Sequence, residues 1–351
     1  MERENYLIEQ AYDIDNIEEA WRYVRLGKRY DREVLQFGYD AFENIVGIYN
    51  DLAWGRYQIG RYKEFIIKDP KERLIQYLPL RDRIVQQALH QVIEPIFDRG
   101  FIADSYACRR RKGTHRAMRR LQEFLVSARG KWRGRDVYYL HCDVHKYFPH
   151  IDHDVLYDLF ARKIKCRQTL KLIRTIIDSS TSNPGLPIGS LFSQLSANVY
   201  LNVVDQFAKH DLRERYYLRY MDNFIVLHAD KKHLSHVKDE IEGLIKSRLH
   251  LEYNPTMTRI DKVHGGIEFV GYRVYADRVK IKKATADRMK KRLREMQAMY
   301  RKDIISADYI APRIASWQGH CQHANAQALT AKILEGAVFT RQEGGNTYDS
   351  H

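Results

Sequence analysis

Cysteine is scarce in this sequence, and its spacing excludes more than its number does. The four residues, Cys108, Cys142, Cys166 and Cys321, form no C-x-x-C pair. Neither a zinc cluster nor a disulfide framework is indicated, and a reducing compartment fits. Long apolar runs are missing as well. No stretch approaches the ~18 consecutive apolar residues that a membrane-spanning helix needs. The opening residues, MERENYLIEQ, are charged and hold no signal-peptide core, so a cytoplasmic protein without a membrane partner is expected. No low-complexity linker or repeat interrupts the chain. Acidic residues are in deficit, with 45 Asp and Glu against 59 Lys and Arg, for a formal charge of +14. An excess of that size suggests a polyanionic partner, most simply nucleic acid, although a merely solvated basic surface gives the same count. Tyrosine is plentiful at 24 residues, and 44% of the 351 residues are hydrophobic. That is enough for one large multi-lobed domain or two to three smaller ones.

Hydrophobic spacing predicts a mixed α+β chain rather than a regular βαβ repeat. The first sixty residues read as helical. KEFIIKD and RLIQYL read as two short strands joined by a turn at Asp69-Pro70, and RDRIVQQALHQVIEPIF returns to helical spacing. Residues 101–136 are strongly basic around CRRRKGTHRAMRR, which reads either as a solvated face or as a phosphate-contacting surface. DVYYLHCDVHKYFPHID is a strand of about six residues that runs into Asp143 and a turn. Pro187 and Gly189 break the chain, Ser190 is a natural N-cap, and Leu191, Leu195, Val199, Val203 and Phe207 predict a long amphipathic helix. A helix is expected over His233–Arg248, a strand pair in GGIEFVGYRVYADRVKI, and a basic helix over Ala284–Arg301. Two further helices broken near Gly319 complete the prediction.

YYLRYMDNFIVLH (Tyr216–His228) has the pattern of a β-hairpin, with Asp222-Asn223 at its tight turn. Asp143 lies at the end of another apolar strand. Taken singly, either carboxylate is most simply a turn or cap residue. On neighbouring strands of one antiparallel sheet they would converge on one point. Paired carboxylates on a rigid sheet suit two Mg²⁺ ions, which take hard oxygen ligands. Two such metals about 4 Å apart activate an attacking hydroxyl and stabilise a leaving pyrophosphate.

With those segments in order, the sequence resembles a reverse transcriptase, most closely those of diversity-generating retroelements, over roughly residues 15–330. KERLIQYLPLRDRIVQQAL and FIADSYACRRRKGTHRAM resemble the fingers blocks. CDVHKYFPHID resembles the palm block with the first catalytic Asp, and RYMDNFIVL the Y-x-D-D hairpin. GGIEFVGYRVY resembles the primer-grip strands and SWQGHCQHAN a thumb segment. The block Ile188-Gly189-Ser190-Leu191-Phe192-Ser193-Gln194 has the I/L/V-G-x-x-x-S-Q form typical of those retroelements, where most reverse transcriptases have Q-G-x-x-x-S-P.

The resemblance implies a right-hand polymerase fold: fingers over 1–135, a palm over 136–275 with a fingers-side insertion near 155–190, a helical thumb over 276–335, and a flexible tail over 336–351. It implies error-prone copying of a template RNA into cDNA from dNTPs, with misincorporation opposite adenines. Asp143 and Asp222 would be metal ligands, with the Val144 carbonyl as a third; the ions would be two Mg²⁺, for which Mn²⁺ substitutes. Phe148 would be the steric gate against a ribose 2′-hydroxyl. Arg73 and, more weakly, Lys71 would meet the incoming triphosphate. Ile188, Gly189 and Gln194 would lie at the templating base pair. Basic thumb residues such as Lys290, Lys291 and Arg292 would track the duplex. Template RNA, primer or cDNA, and a small basic accessory protein would be the partners.

Two positions depart from the family pattern. Asn223 replaces the second Asp of the hairpin, which removes a negative charge but leaves a carbonyl oxygen that an Mg²⁺ ion accepts weakly. Met257, in NPTMTRI, replaces a lysine that is a candidate general acid in related enzymes, a role that would pass to Lys262 or to water. Reduced activity is therefore expected. A catalytically silent RNA-binding homologue, and a reverse transcriptase of a phage-defence or retron lineage, are the alternatives. Little chain is left after the thumb for fused maturase or endonuclease domains.

Overall fold

A carboxylate sets the first break in the chain. In the computed structural model, which describes residues 4–67, 72–180 and 184–341, the Asp13 side chain accepts from the N–H groups of Asp15 and Asn16. It thereby caps the second helix and separates α1 (Leu7–Tyr12) from α2 (Ile14–Val24). Helices α3 (Arg32–Tyr39) and α4 (Ala41–Ala53) follow, as the periodicity predicts. Strands β1 (Lys63–Ile67) and β2 (Arg73–Tyr77) pair antiparallel, from Lys63 opposite Tyr77 to Ile67 opposite Arg73. The turn expected at Asp69-Pro70 lies outside the described residues. Then come α5 (Leu80–Asp98), α6 (Thr114–Lys131), β3 (Tyr138–Asp143), α7 (His153–Ala161), α8 (Arg167–Asp178) and α9 (Leu191–Gln206). Strands β4 (Tyr217–Tyr220) and β5 (Asn223–His228) form the expected hairpin, followed by α10 (Lys231–Leu249) and β6 (Arg259–Lys262). The chain continues through β7 (Ile267–Phe269), β8 (Tyr272–Val274), β9 (Val279–Ile281), α11 (Lys283–Arg301), α12 (Ala307–Cys321) and α13 (Gln327–Glu335).

These elements fall into two units. The first takes the residues up to Gly113, Leu140–Val226 and Lys231–Ile260. Its core is built on α5, which packs against α1, α2 and α9. Ile84, Val85, Ala88, Leu89 and Ile93 of α5 are fully buried. The principal sheet has the order β4-β5-β3-β6, so β3 lies beside β5. Helix α9 departs from a simple one-sided amphipathic helix. Leu195 and Val199 of the predicted stripe are buried, but Leu191, Val203 and Phe207 are only half-buried. Phe192, Ala197, Tyr200, Leu201 and Val204 are buried as well, because the helix is enclosed on most of its circumference. Its N-cap is Ser190, as expected, whose Oγ accepts from the Ser193 N–H at 3.4 Å.

The second unit takes Thr114–Tyr139, Leu227–Asp230 and the chain from Asp261 onward. Here the expected strand pair is a three-stranded antiparallel sheet, β7-β8-β9. Helix α6 packs on β8, and α12 packs on both α11 and α13. The two helices predicted here are α12 and α13, with the break a few residues past Gly319. Helix α12 runs through Gly319 to Cys321, since a single glycine costs a helix only ~1 kcal/mol. The break falls at residues 322–326, where Asn325 exchanges two hydrogen bonds with Val279: its N–H donates to the Val279 carbonyl at 2.8 Å and its Oδ1 accepts from the Val279 N–H at 2.9 Å.

Candidate active site

The hairpin turn differs from the sequence pattern. Tyr220 pairs with Asn223, so the two turn residues are Met221 and Asp222, and Asn223 is the first residue of β5. Met221 takes a left-handed φ of 55°, a conformation that costs a residue with a Cβ roughly 1–2 kcal/mol. The strain is held from below by Arg219, whose Nη1 donates to the Met221 carbonyl at 2.9 Å.

Arg219 is fully buried on β4, and all five of its N–H donors have acceptors. Nε and Nη2 form a fork on Asp205 of α9, at 2.8 and 2.7 Å. The remaining donors reach Asn198 Oδ1 at 3.2 Å, Ser105 Oγ at 3.1 Å and Met221 O. Asp205 also accepts from the Tyr217 hydroxyl at 2.7 Å. Neither Arg219 nor Asp205 stands out by motif. The signal was a charged residue inside each of two apolar runs, YYLRY and NVVDQF.

Asp143 ends β3, and the Val144 N–H donates to the Asp222 carbonyl at 3.3 Å, which brings the two carboxylates to one place in the first unit. Both side chains are half-buried. Burial, and then the charge of Asp143, raise the carboxyl pKa of Asp222; a hydrogen bond from Asn223 and the charge of Arg73 act the other way. Arg73, exposed at the start of β2, is thus within electrostatic reach of the hairpin. Lys71 lies outside the described residues.

The amides around the carboxylates are arranged in parallel. Asn223 Nδ2 donates to Asp222 Oδ1 at 3.1 Å, and Asn223 Oδ1 is 3.0 Å from Nε2 of the buried His141. The Asn223 carbonyl therefore faces His141 of β3. Asn254 Nδ2 donates to Asp143 Oδ1 at 2.9 Å, and the Asn254 N–H donates to the Asp143 carbonyl at 2.7 Å. The flanking bond runs from the His145 N–H to the Glu252 carbonyl, so the Val144–Tyr253 bridge does not use the Val144 carbonyl. His141 and Asn254 were missed in the sequence; their neighbours carried the recognisable pattern.

Phe148, Ile188, Gly189 and Gln194 lie in the same unit as the two carboxylates. Phe148 opens a short 3₁₀ turn, is half-buried, and packs edge-on to Tyr147 at 5.5 Å. Ile188 is half-buried, and its carbonyl accepts from the Gln76 N–H of β2 at 3.1 Å. Gly189 has φ of 119°, a conformation that favours glycine, and a Cβ there would lie a tight 3.2 Å from the Gln76 carbonyl. Gln194 is half-buried in the first turn of α9. Lys290, Lys291 and Arg292 are exposed on α11 in the second unit; Lys290 faces Asp287 at 3.7 Å and Lys291 faces Glu295 at 3.8 Å. Lys262 is held by Asp136 at 2.6 Å, also in that unit.

The donor set fits a hard divalent cation. Two neighbouring carboxylates, beside a backbone carbonyl that the Val144–Tyr253 bridge does not use, suit an ion that takes a few protein oxygens and fills its shell with water and phosphate. Among the described residues no group of three or more His, Cys, Asp or Glu forms a closed metal centre.

A carboxylate at the end of a central strand, a second at an adjacent hairpin turn and the enclosing helices define the palm of a right-hand polymerase. The chain belongs to the reverse transcriptase (RNA-dependent DNA polymerase) family, which residues 66–274 match. It is 27% identical over 271 residues to "Protein YkfC" of Escherichia coli (strain K12), covering 65% of this chain and 70% of that protein. It is 25% identical over 208 residues to "Group II intron-encoded protein LtrA" of Lactococcus lactis subsp. cremoris, covering 54% of this chain but only 33% of that protein. Among solved structures, apo telomerase from Candida tropicalis superposes with a TM-score of 0.50 over 82% of this chain and 60% of that one, at 13% identity, a likeness of fold.

Proposed function

We propose that this protein is an RNA-directed DNA polymerase that copies a template RNA into error-prone cDNA for a diversity-generating retroelement. The observation that carries the polymerase reading is the meeting of Asp143 and Asp222 at the β3–β5 junction, with the charge of Arg73 felt at Asp222. Two Mg²⁺ ions held there by Asp143, Asp222 and the Val144 carbonyl would supply charge neutralisation and activation of the primer hydroxyl. The chain's own groups do the rest. Arg73 binds and orients the triphosphate. The Phe148 ring excludes a ribose 2′-hydroxyl. The Ile188–Gly189 loop, fastened to β2 through Gln76, backs the templating base with an apolar side chain that offers it no hydrogen bond. The weak selection that results supports the mutagenic reading, as does the I-G-x-x-x-S-Q block. Template RNA, primer and a small basic accessory protein are the proposed partners, and a genomic template-repeat and variable-repeat pair beside the gene is the expected context.

A second reading, a silent RNA-binding homologue, draws on Asn223 and Met257. Primer extension on an RNA template, in Mg²⁺ and separately in Mn²⁺, separates the two. Extension by the unmodified protein and none by Asp143→Ala is expected. Extension only by Asn223→Asp would mean a polymerase switched off at the hairpin. RNA binding without extension by any variant, even with an accessory protein added, would replace the polymerase reading.

A further inference from the structure

We propose that Asn223 and Asn254 are a matched pair of positioning residues, each committing one oxygen of a catalytic carboxylate and leaving the remaining lone pairs for a divalent cation. The inference rests on the polymerase reading of the same site. Each asparagine donates from Nδ2 to an Oδ1: Asn223 to Asp222 at 3.1 Å and Asn254 to Asp143 at 2.9 Å. An ionised carboxylate only accepts, so the amide nitrogen must face it and the amide oxygen must face away.

In both cases a second donor meets that oxygen. Asn223 Oδ1 has His141 Nε2 at 3.0 Å, which requires the ring proton on Nε2. Asn254 Oδ1 accepts from the Thr256 N–H at 3.2 Å and from the Thr256 hydroxyl at 2.8 Å. Two relays of donor, amide and carboxylate therefore flank the site, one from β3 and one from the turn after α10. Each link polarises the next and locks the amide against flipping.

This gives Asn223 a task that an aspartate cannot perform. Asp222 is half-buried and lies beside Asp143. A third carboxylate at 223 would add to the repulsion, whereas an amide N–H stabilises the charged form. Asn223 is then a support for Asp222 rather than a failed ligand.

The test measures binding of Mn²⁺ alone to the full chain, from the loss of the free-ion electron paramagnetic resonance signal. The Asp143→Ala protein sets the background. Asn223→Ala and Asn254→Ala should each weaken the site about tenfold, the effect of losing one hydrogen bond to a charged group. His141→Ala should weaken it too. His141→Gln, which keeps a donor, should restore it, and His141→Ala with Asn223→Ala should be no weaker than Asn223→Ala alone. Affinities within about twofold of the unmodified protein in folded Asn223→Ala and Asn254→Ala would overturn the proposal. Should Asn254→Ala not fold, Thr256→Val at the exposed turn reads the same relay, with weakening expected and none overturning it. Absence of any Mn²⁺ site that Asp143→Ala removes would instead overturn the metal reading beneath it.

Discussion

Phe148 shows how far a single residue can be read. Its place in the palm block that resembles the family's implied a gate, against the simpler reading of an aromatic ring in the core. Its half-burial at the head of a 3₁₀ turn leaves part of the ring uncovered. Phe148→Ala should relax discrimination between dNTP and rNTP by about tenfold to a hundredfold, the scale set by removing steric exclusion from a pocket wall. Single-nucleotide incorporation kinetics with paired dNTP and rNTP read that ratio, and an unchanged ratio would return Phe148 to the core. Asn223 was visible as a departure from Y-x-D-D, but its meaning was not. The hydrogen bond that gives it a role comes from His141, 82 positions earlier in the chain.

At the scale of elements, the β4–β5 hairpin depends on a buried ion pair. Arg219 and Asp205 are both fully buried, and the guanidinium spans Asp205, Asn198, Ser105 and the Met221 carbonyl at the strained turn. Removing one partner leaves the other charge uncompensated. Asp205→Ala should therefore destabilise the protein by about 3–5 kcal/mol, and Arg219→Met by a similar amount, measured by urea unfolding. A loss under about 1 kcal/mol for both would mean that water or neighbouring groups replace the pair. The first helices, α5, β3, α9, α10 and α11 were legible from periodicity because burial enforces it, whereas α6, α7, α8 and β6 were not read from the sequence. The turn was placed one residue late in the sequence, because Asp-Asn is a favoured turn pair and only the Tyr220–Asn223 register moves Asn223 into the strand.

Across the whole molecule, pH enters through a histidine that the fold keeps neutral. Burial, and then the charge of Arg110, lower the pKa of His90 on α5 to about 4. Its folded value lies below the usual 6.5, so the stability it contributes is present above pH 6.5 and is lost as pH falls toward 4. The loss should reach up to about 3 kcal/mol. Urea unfolding at pH 7.5, 5.5 and 4 reads it, and His90→Gln should flatten the profile; an unaltered slope would place the titration elsewhere. The charge of +14 is legible in composition alone and suits a polyanionic template. No helix among the described residues is long and apolar enough to cross a membrane. The chain spans about a third of the Lactococcus protein that it matches.

The sequence by itself determined the mixed α+β class, the family, the β4–β5 hairpin and the long helix α9, and it singled out Asp143 and Asp222 as candidates. These follow from local periodicity and from motifs whose residues are neighbours in the chain. Tertiary structure alone decided which groups hold that pair in place. Asn254 lies 111 positions from Asp143, and Asp205 meets Arg219 across a helix and a strand. A hydrogen bond acts only over about 3 Å, so its partners are set by how strands and helices pack and not by spacing along the chain.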